Sequence, residues 1–140
     1  LPGVFPVGAP SIDADSRVPD HNWFRTEIIG QESYDHITAG GAADIVIAHD
    51  TPTSTPLKGL TGDALFPAGT AHRKVMDLIA NQLRPSLWVN GHYHRRGTYV
   101  IEHHGGHCRV EQLGWDGQSS DHRYLIAHPN DLKVPSSVGE

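Results

Sequence analysis

The sequence predicts an α/β fold, and three observations carry that reading. Two short apolar runs, Ala43 to Ala48 and Ser86 to Asn90, have the composition of buried strands, and each ends abruptly in polar residues. Between them Val75, Met76, Ile79 and Leu83 recur on one helical face from Ala71 to Leu83, and Arg84-Pro85 stops that helix. After the second run the period becomes two, in Thr98 to Glu102 and Cys108 to Leu113, with His104-Gly105-Gly106-His107 as the hairpin connection. Strand, helix, strand and hairpin in this order predict a mixed sheet covered by helix.

The remaining elements follow the same rules. Gly3 to Pro10 reads as a short strand weakened by Pro6, and Ser11 to Asn22 as loop. A short helix is predicted over Glu32 to Thr38, stopped by Gly40-Gly41. Thr51 to Gly69, broken repeatedly by Pro and Gly, reads as a long loop, and loops of that length inside compact domains are usually functional. Asp116-Gly117 marks a further turn before Arg123 to Ala127, and residues 129–140 read as a polar tail behind a domain at 1–128. No internal repeat is visible.

A chain of 140 residues accommodates one domain with a core. With 37% hydrophobic and 19% charged residues it falls outside the disordered and membrane classes. A net charge of -5 without a basic cluster argues against nucleic acid as the main partner. No apolar run reaches the roughly 20 residues needed to span a bilayer, and the N-terminus has no signal-peptide pattern, so a soluble cytoplasmic protein is expected. A single cysteine, Cys108, excludes an internal disulfide. The unusual feature is histidine: 11 residues, as many as lysine and arginine together, an enrichment that asks for a metal site.

The position of the histidines sharpens that request. The first apolar run delivers His49-Asp50 and the second Gly91-His92-Tyr93-His94, and α/β proteins build their sites beyond the carboxyl ends of parallel strands. In an extended segment His92 and His94 share a face, their side chains roughly 6 to 7 Å apart, a span that straddles two ions about 3.5 to 4 Å apart. Strand-end histidines satisfied by backbone carbonyls are the bland alternative for any one of them. Asp50 is expected to point away from His49 and to support the site from behind or cap the turn. Arg95 and Arg96 are candidates to meet a substrate phosphate, with solvated side chains as the other reading. His103, His104 and His107 read as a polar hairpin tip, and Trp115-Asp116-Gly117 as turn chemistry.

These motifs, taken in order, resemble one branch of the calcineurin-like metallophosphoesterases. Gly8-Ala9-Pro10-Ser11-Ile12-Asp13 is similar to its G-G-A-x-S-I-D segment, with Val7 at the place of the first Gly. Arg17 and Trp23-Phe24-x-x-Glu27 are similar to its R and W-W-x-x-E positions, His49-Asp50-Thr51-Pro52 to its H-D-x-P, and Gly91-His92-Tyr93-His94 to its closing G-H-x-H. The resemblance implies the C-terminal half of an αββα sandwich and a phosphate-ester substrate, a phosphomonoester or phosphodiester. It further implies a centre of two divalent ions (Mn, Fe, Zn or Ni), His49 and His92 binding one and His94 the other.

The family's earlier segments, Asp-x-His, Gly-Asp-x-x-Asp and Asn-His-Asp/Glu, do not occur in this sequence. The bridging carboxylate, an Asn ligand and the acid histidine are therefore expected from elsewhere, either a missing N-terminal half or another chain. The alone-standing chain is expected to be weakly active or inactive. A non-catalytic metal-binding or interaction module derived from the same fold is the alternative.

Overall fold

The structure is a computed structural model describing residues 29–57, 67–115, 117 and 125, with backbone alone at 67 and 68. Six elements follow one another: α1 (Gln31–Ala39), β1 (Ile45–Ile47), α2 (Pro67–Leu83), β2 (Leu87–Asn90), β3 (Gly97–His103) and β4 (Gly106–Gln112). The predicted strand at Gly3 to Pro10, the motifs from Gly8 to Glu27, the Arg123 to Ala127 segment and the polar tail lie outside the described residues, apart from Leu125.

The strands form one mixed sheet in the order β1-β2-β4-β3. β1 pairs parallel with β2, and β2 with β4, while β3 and β4 form an antiparallel hairpin. Parallel neighbours cannot be joined by a tight turn, and α2 supplies the crossover between β1 and β2. The hairpin turn is tighter than predicted. Only His104 and Gly105 lie between the strands, and Gly106, with φ at 132°, takes a conformation closed to residues carrying a Cβ.

Alternation across the sheet sorts its side chains. Val46, Trp88, Val110 and Tyr99 stand opposite one another on successive strands. With Met76, Ile79, Ala80 and Leu83 of α2, and Ile37 of α1, they make the hydrophobic core, Tyr99 packing at its margin. The predicted helical face is thus the buried one, except that Val75 is only partly covered. The next residues along, Ile45, Leu87, Arg109 and Val100, point to the other face.

Helix ends differ from the prediction by a few residues. α2 begins at Pro67, four residues before Ala71, which shortens the predicted loop. Proline suits a first helical turn, where its missing N–H would have no intrahelical partner. α1 ends as predicted at its glycine pair: Gly40 caps it, and Gly41, with φ at 78°, donates its N–H to the Thr38 carbonyl. No helix among the described residues is long and apolar enough to cross a membrane.

Two outcomes test this core. Ile79 is fully buried between α2 and the sheet, so Ile79→Ala lowers unfolding free energy by about 2 to 5 kcal/mol in denaturant melts. Cys108 is also fully buried, and burial pushes its thiol up to about 12, against a smaller opposing effect of Arg109. A thiolate-specific reagent such as DTNB therefore leaves the native chain unlabelled and labels it at once in denaturant.

Candidate functional site

β1 and β2 end side by side, and the chain beyond each carries a histidine. Ile47 pairs with Val89, and the ladder runs one bond further, from the Ala48 N–H to the Val89 carbonyl at 2.9 Å. His49 follows Ala48 at once, and His92 follows Asn90 across Gly91. Their imidazoles face each other, His49 Nε2 to His92 Nδ1 at 3.2 Å, with the ring planes at 67°. One nitrogen of the pair donates to the other.

The backbone that delivers His92 is not the extended strand the sequence suggests. His92 and His94 both lie in the left-handed region, with φ at 69° and 56°. The two-residue alternation that would place both imidazoles on one face therefore does not apply. Side chains with a Cβ pay sterically for this conformation, about 1 to 2 kcal/mol per residue. Gly91, the residue expected to make the turn, is not in the left-handed region, and a Cβ there would meet His49 Nδ1 at an ordinary 3.8 Å. His94 is exposed, and its ring lies 6.4 Å from that of Trp115.

Beneath the imidazoles sits Asp50, 1% exposed. Its carboxylate accepts from the Tyr93 hydroxyl at 2.5 Å, the Thr51 N–H at 2.8 Å and His72 Nδ1 at 2.9 Å. The Trp88 indole N–H donates to the Asp50 carbonyl at 3.0 Å. Burial by itself would raise the Asp50 pKa, but the bonds from His72, Tyr93 and Thr51 outweigh it and hold the carboxyl below its ordinary value. Burial and the Asp50 charge push the Tyr93 hydroxyl the other way, so it stays protonated and donates. Burial also holds His92 down to about 4, against the attraction of Asp50 and with the help of His49 and His94, which leaves a neutral imidazole at pH 7.

The sequence reading gives Asp50 one of two roles, supporting the site from behind or capping the turn, and its bond from the Thr51 N–H is local to that turn. It missed His72 and Tyr93. His72 carries a legible signal: it lies four residues before Met76 and seven before Ile79, so a histidine occupies the core stripe of α2. The next residue, Arg73, clamps the loop after β1 by donating to the carbonyls of Thr51, Pro52, Thr53 and Thr55.

The two candidate arginines part company. Arg96 is paired with Glu111 at 2.7 Å and donates to the carbonyls of Gly97 and Gln112, so the guanidinium secures the start of β3. Arg95 is exposed, and its carbonyl accepts from Gln112 Nε2. On the hairpin, His103 Nε2 meets the Pro85 carbonyl and Nδ1 accepts from the Gly105 N–H, a structural use of both nitrogens.

Whether these residues fit a metal ion is a question of donor spacing. Two nitrogens bound to one ion at about 2.0 to 2.1 Å, with bond angles between tetrahedral and octahedral, lie roughly 2.9 to 3.4 Å apart. The His49–His92 separation of 3.2 Å falls in that range, but an ion held by both nitrogens needs each of them unprotonated and so replaces the hydrogen bond between them. A larger set is not assembled: among the described residues no group of three or more His, Cys, Asp or Glu is placed to hold a metal. Nor is a ligand set for a second ion assembled among the described residues. No family model, curated protein or solved structure matches this chain.

Asp50 generates the prediction. Asp50→Ala leaves His72 and Tyr93 buried without their acceptor and costs about 3 kcal/mol of stability by denaturant unfolding.

Proposed function

We propose that the chain supplies the histidine side of a divalent-metal centre that hydrolyses phosphate esters, the C-terminal half of a calcineurin-like metallophosphoesterase. The observation that supports the metal reading is the facing of His49 and His92 at 3.2 Å, at the carboxyl ends of adjacent parallel strands. The ester reading rests on the order of the sequence motifs.

Within that reading His49 and His92 hold one ion, and His94 belongs to the second. Imidazole suits Mn, Fe, Zn and Ni alike. A bound pair of such ions supplies an activated hydroxide and neutralises charge on the phosphoryl oxygens. The chain's own contribution is to present two imidazoles at fixed spacing and to keep Asp50 occupied below them. Arg95, exposed just beyond the histidines, is the candidate to meet the substrate phosphate. The carboxylates and the acid histidine that complete such a centre come from an N-terminal half or another chain, and the four-stranded sheet is then one layer of an αββα sandwich.

A second reading, metal binding without catalysis, is favoured by one observation. Asp50, the acid next to His49, is committed to Tyr93, His72 and Thr51 and turned into the core.

One pair of measurements tests both. Calorimetric titration of the purified chain with Zn²⁺ or Mn²⁺ shows binding that His92→Ala weakens at least about tenfold, as loss of one of two ligands requires. Hydrolysis of p-nitrophenyl phosphate and its bis ester stays at the level of the His92→Ala control. No metal binding by the wild-type chain defeats the metal reading. Robust turnover abolished by His92→Ala defeats the second reading, because the chain then holds a complete centre.

A further inference from the structure

Past the last ladder bond, the two histidine segments are joined by a closed circuit of four residues. Two of its links are covalent: His49 to Asp50, and His92 to Tyr93. The other two are not: His49 faces His92 at 3.2 Å, and Tyr93 donates to Asp50 at 2.5 Å. Burial sorts the four, since strand alternation does not extend to the left-handed His92. The outer members of the circuit are accordingly the two imidazoles, and the inner members are a carboxylate and a phenol, 1% and 8% exposed. The Tyr93 ring also meets the His92 ring edge-on, with centroids 4.9 Å apart.

We propose that Tyr93 is a positioning residue: its hydroxyl, anchored on the Asp50 carboxylate, sets the separation of His49 and His92. Three observations carry this. The bond is short and buried, and its acceptor is held in turn by His72 and the Thr51 N–H, so Asp50 cannot follow a moving tyrosine. The residues on both sides of Tyr93 sit in left-handed conformations that relax unless the chain between them is pinned. The Trp88 indole fixes the Asp50 backbone from β2, the strand that delivers His92, which ties both segments to one frame. The inference takes from the proposed function only the role of the two imidazoles as metal ligands; the positioning itself is a property of the metal-free chain.

The test is Tyr93→Phe, which keeps the ring against His92 and removes only the hydroxyl. Long-range ¹H–¹⁵N correlation spectra of the metal-free chain report each imidazole. In the variant the His49 and His92 signals move toward those of free imidazole, while His103, bonded to the Pro85 carbonyl on the far hairpin, keeps its wild-type position and certifies the fold. Zn²⁺ affinity falls about 10- to 100-fold, the usual effect of losing a residue that orients a ligand. Asp50→Asn, which retains an oxygen to accept from Tyr93, preserves the imidazole signals better than Tyr93→Phe does. Imidazole signals unchanged in Tyr93→Phe overturn the proposal. Signals that move in a chain that binds no Zn²⁺ even as wild type sustain the positioning and defeat the metal reading instead. If Tyr93→Phe does not fold, the wild-type chain decides: a Tyr93 hydroxyl proton visible and slow to exchange supports the anchor, and one lost to rapid exchange overturns it.

Discussion

The parallel register of β1 against β2 is the constraint on which the rest depends. Three residue pairs, Ile45 with Leu87, Val46 with Trp88 and Ile47 with Val89, determine that His49 and His92 leave the sheet at the same end. An antiparallel pairing would have sent them to opposite ends. A slip by one residue would have turned Val46 or Trp88 out of the core. Because parallel strands need a long crossover, the same pairing demands α2, and α2 brings His72 and Arg73 under the loop that follows β1.

From that register follows a division of labour between neighbouring residues. The outward histidines of the two pairs face each other, and the inward partner, Asp50 or Tyr93, is spent on structure. Burying a carboxylate is costly unless its lone pairs are filled. Tyr93, Thr51 and His72 fill them, with one donor from each of the β2 exit, the local backbone and the crossover helix. Glu111 repeats the arrangement at the other side of the sheet: buried, it is held by Arg96, Arg109 and Thr98, and the start of β3 is fastened there. Charged side chains inside this small domain thus work as fasteners for the segments that leave strands.

Much of this was legible because it is periodic. The β-branched run Ile45-Val46-Ile47 and the run Leu87-Trp88-Val89 announce strands, and Met76, Ile79 and Leu83 announce the buried face of a helix. His49 and His92 were legible because each lies just beyond such a run, His49 after Ala48 and His92 after Asn90-Gly91. What was illegible depends on geometry between distant segments. Tyr93 stands at the variable position of its motif, and nothing in the order of residues says that its hydroxyl reaches an acid 43 positions earlier. The left-handed turns at His92 and His94 escaped for a related reason: Gly91 is the residue a local rule selects for a bend, and tertiary bonds placed the bend after it. Arg96 looked like a free cation in sequence because its partner, Glu111, lies on another strand.

The left-handed backbone at positions 92 and 94 sets main-chain stability against the presence of an imidazole within a single short motif. At each position glycine or asparagine suits the main chain better than histidine does, and neither carries an imidazole. Passage of this gene through a library ranked only by thermal tolerance would therefore enrich glycine and asparagine at these two codons, while retaining Tyr93 and Asp50. A lineage still selected for what the imidazoles do would keep histidine against that drift, so the residue found at 92 in any population reads out which selection has been acting.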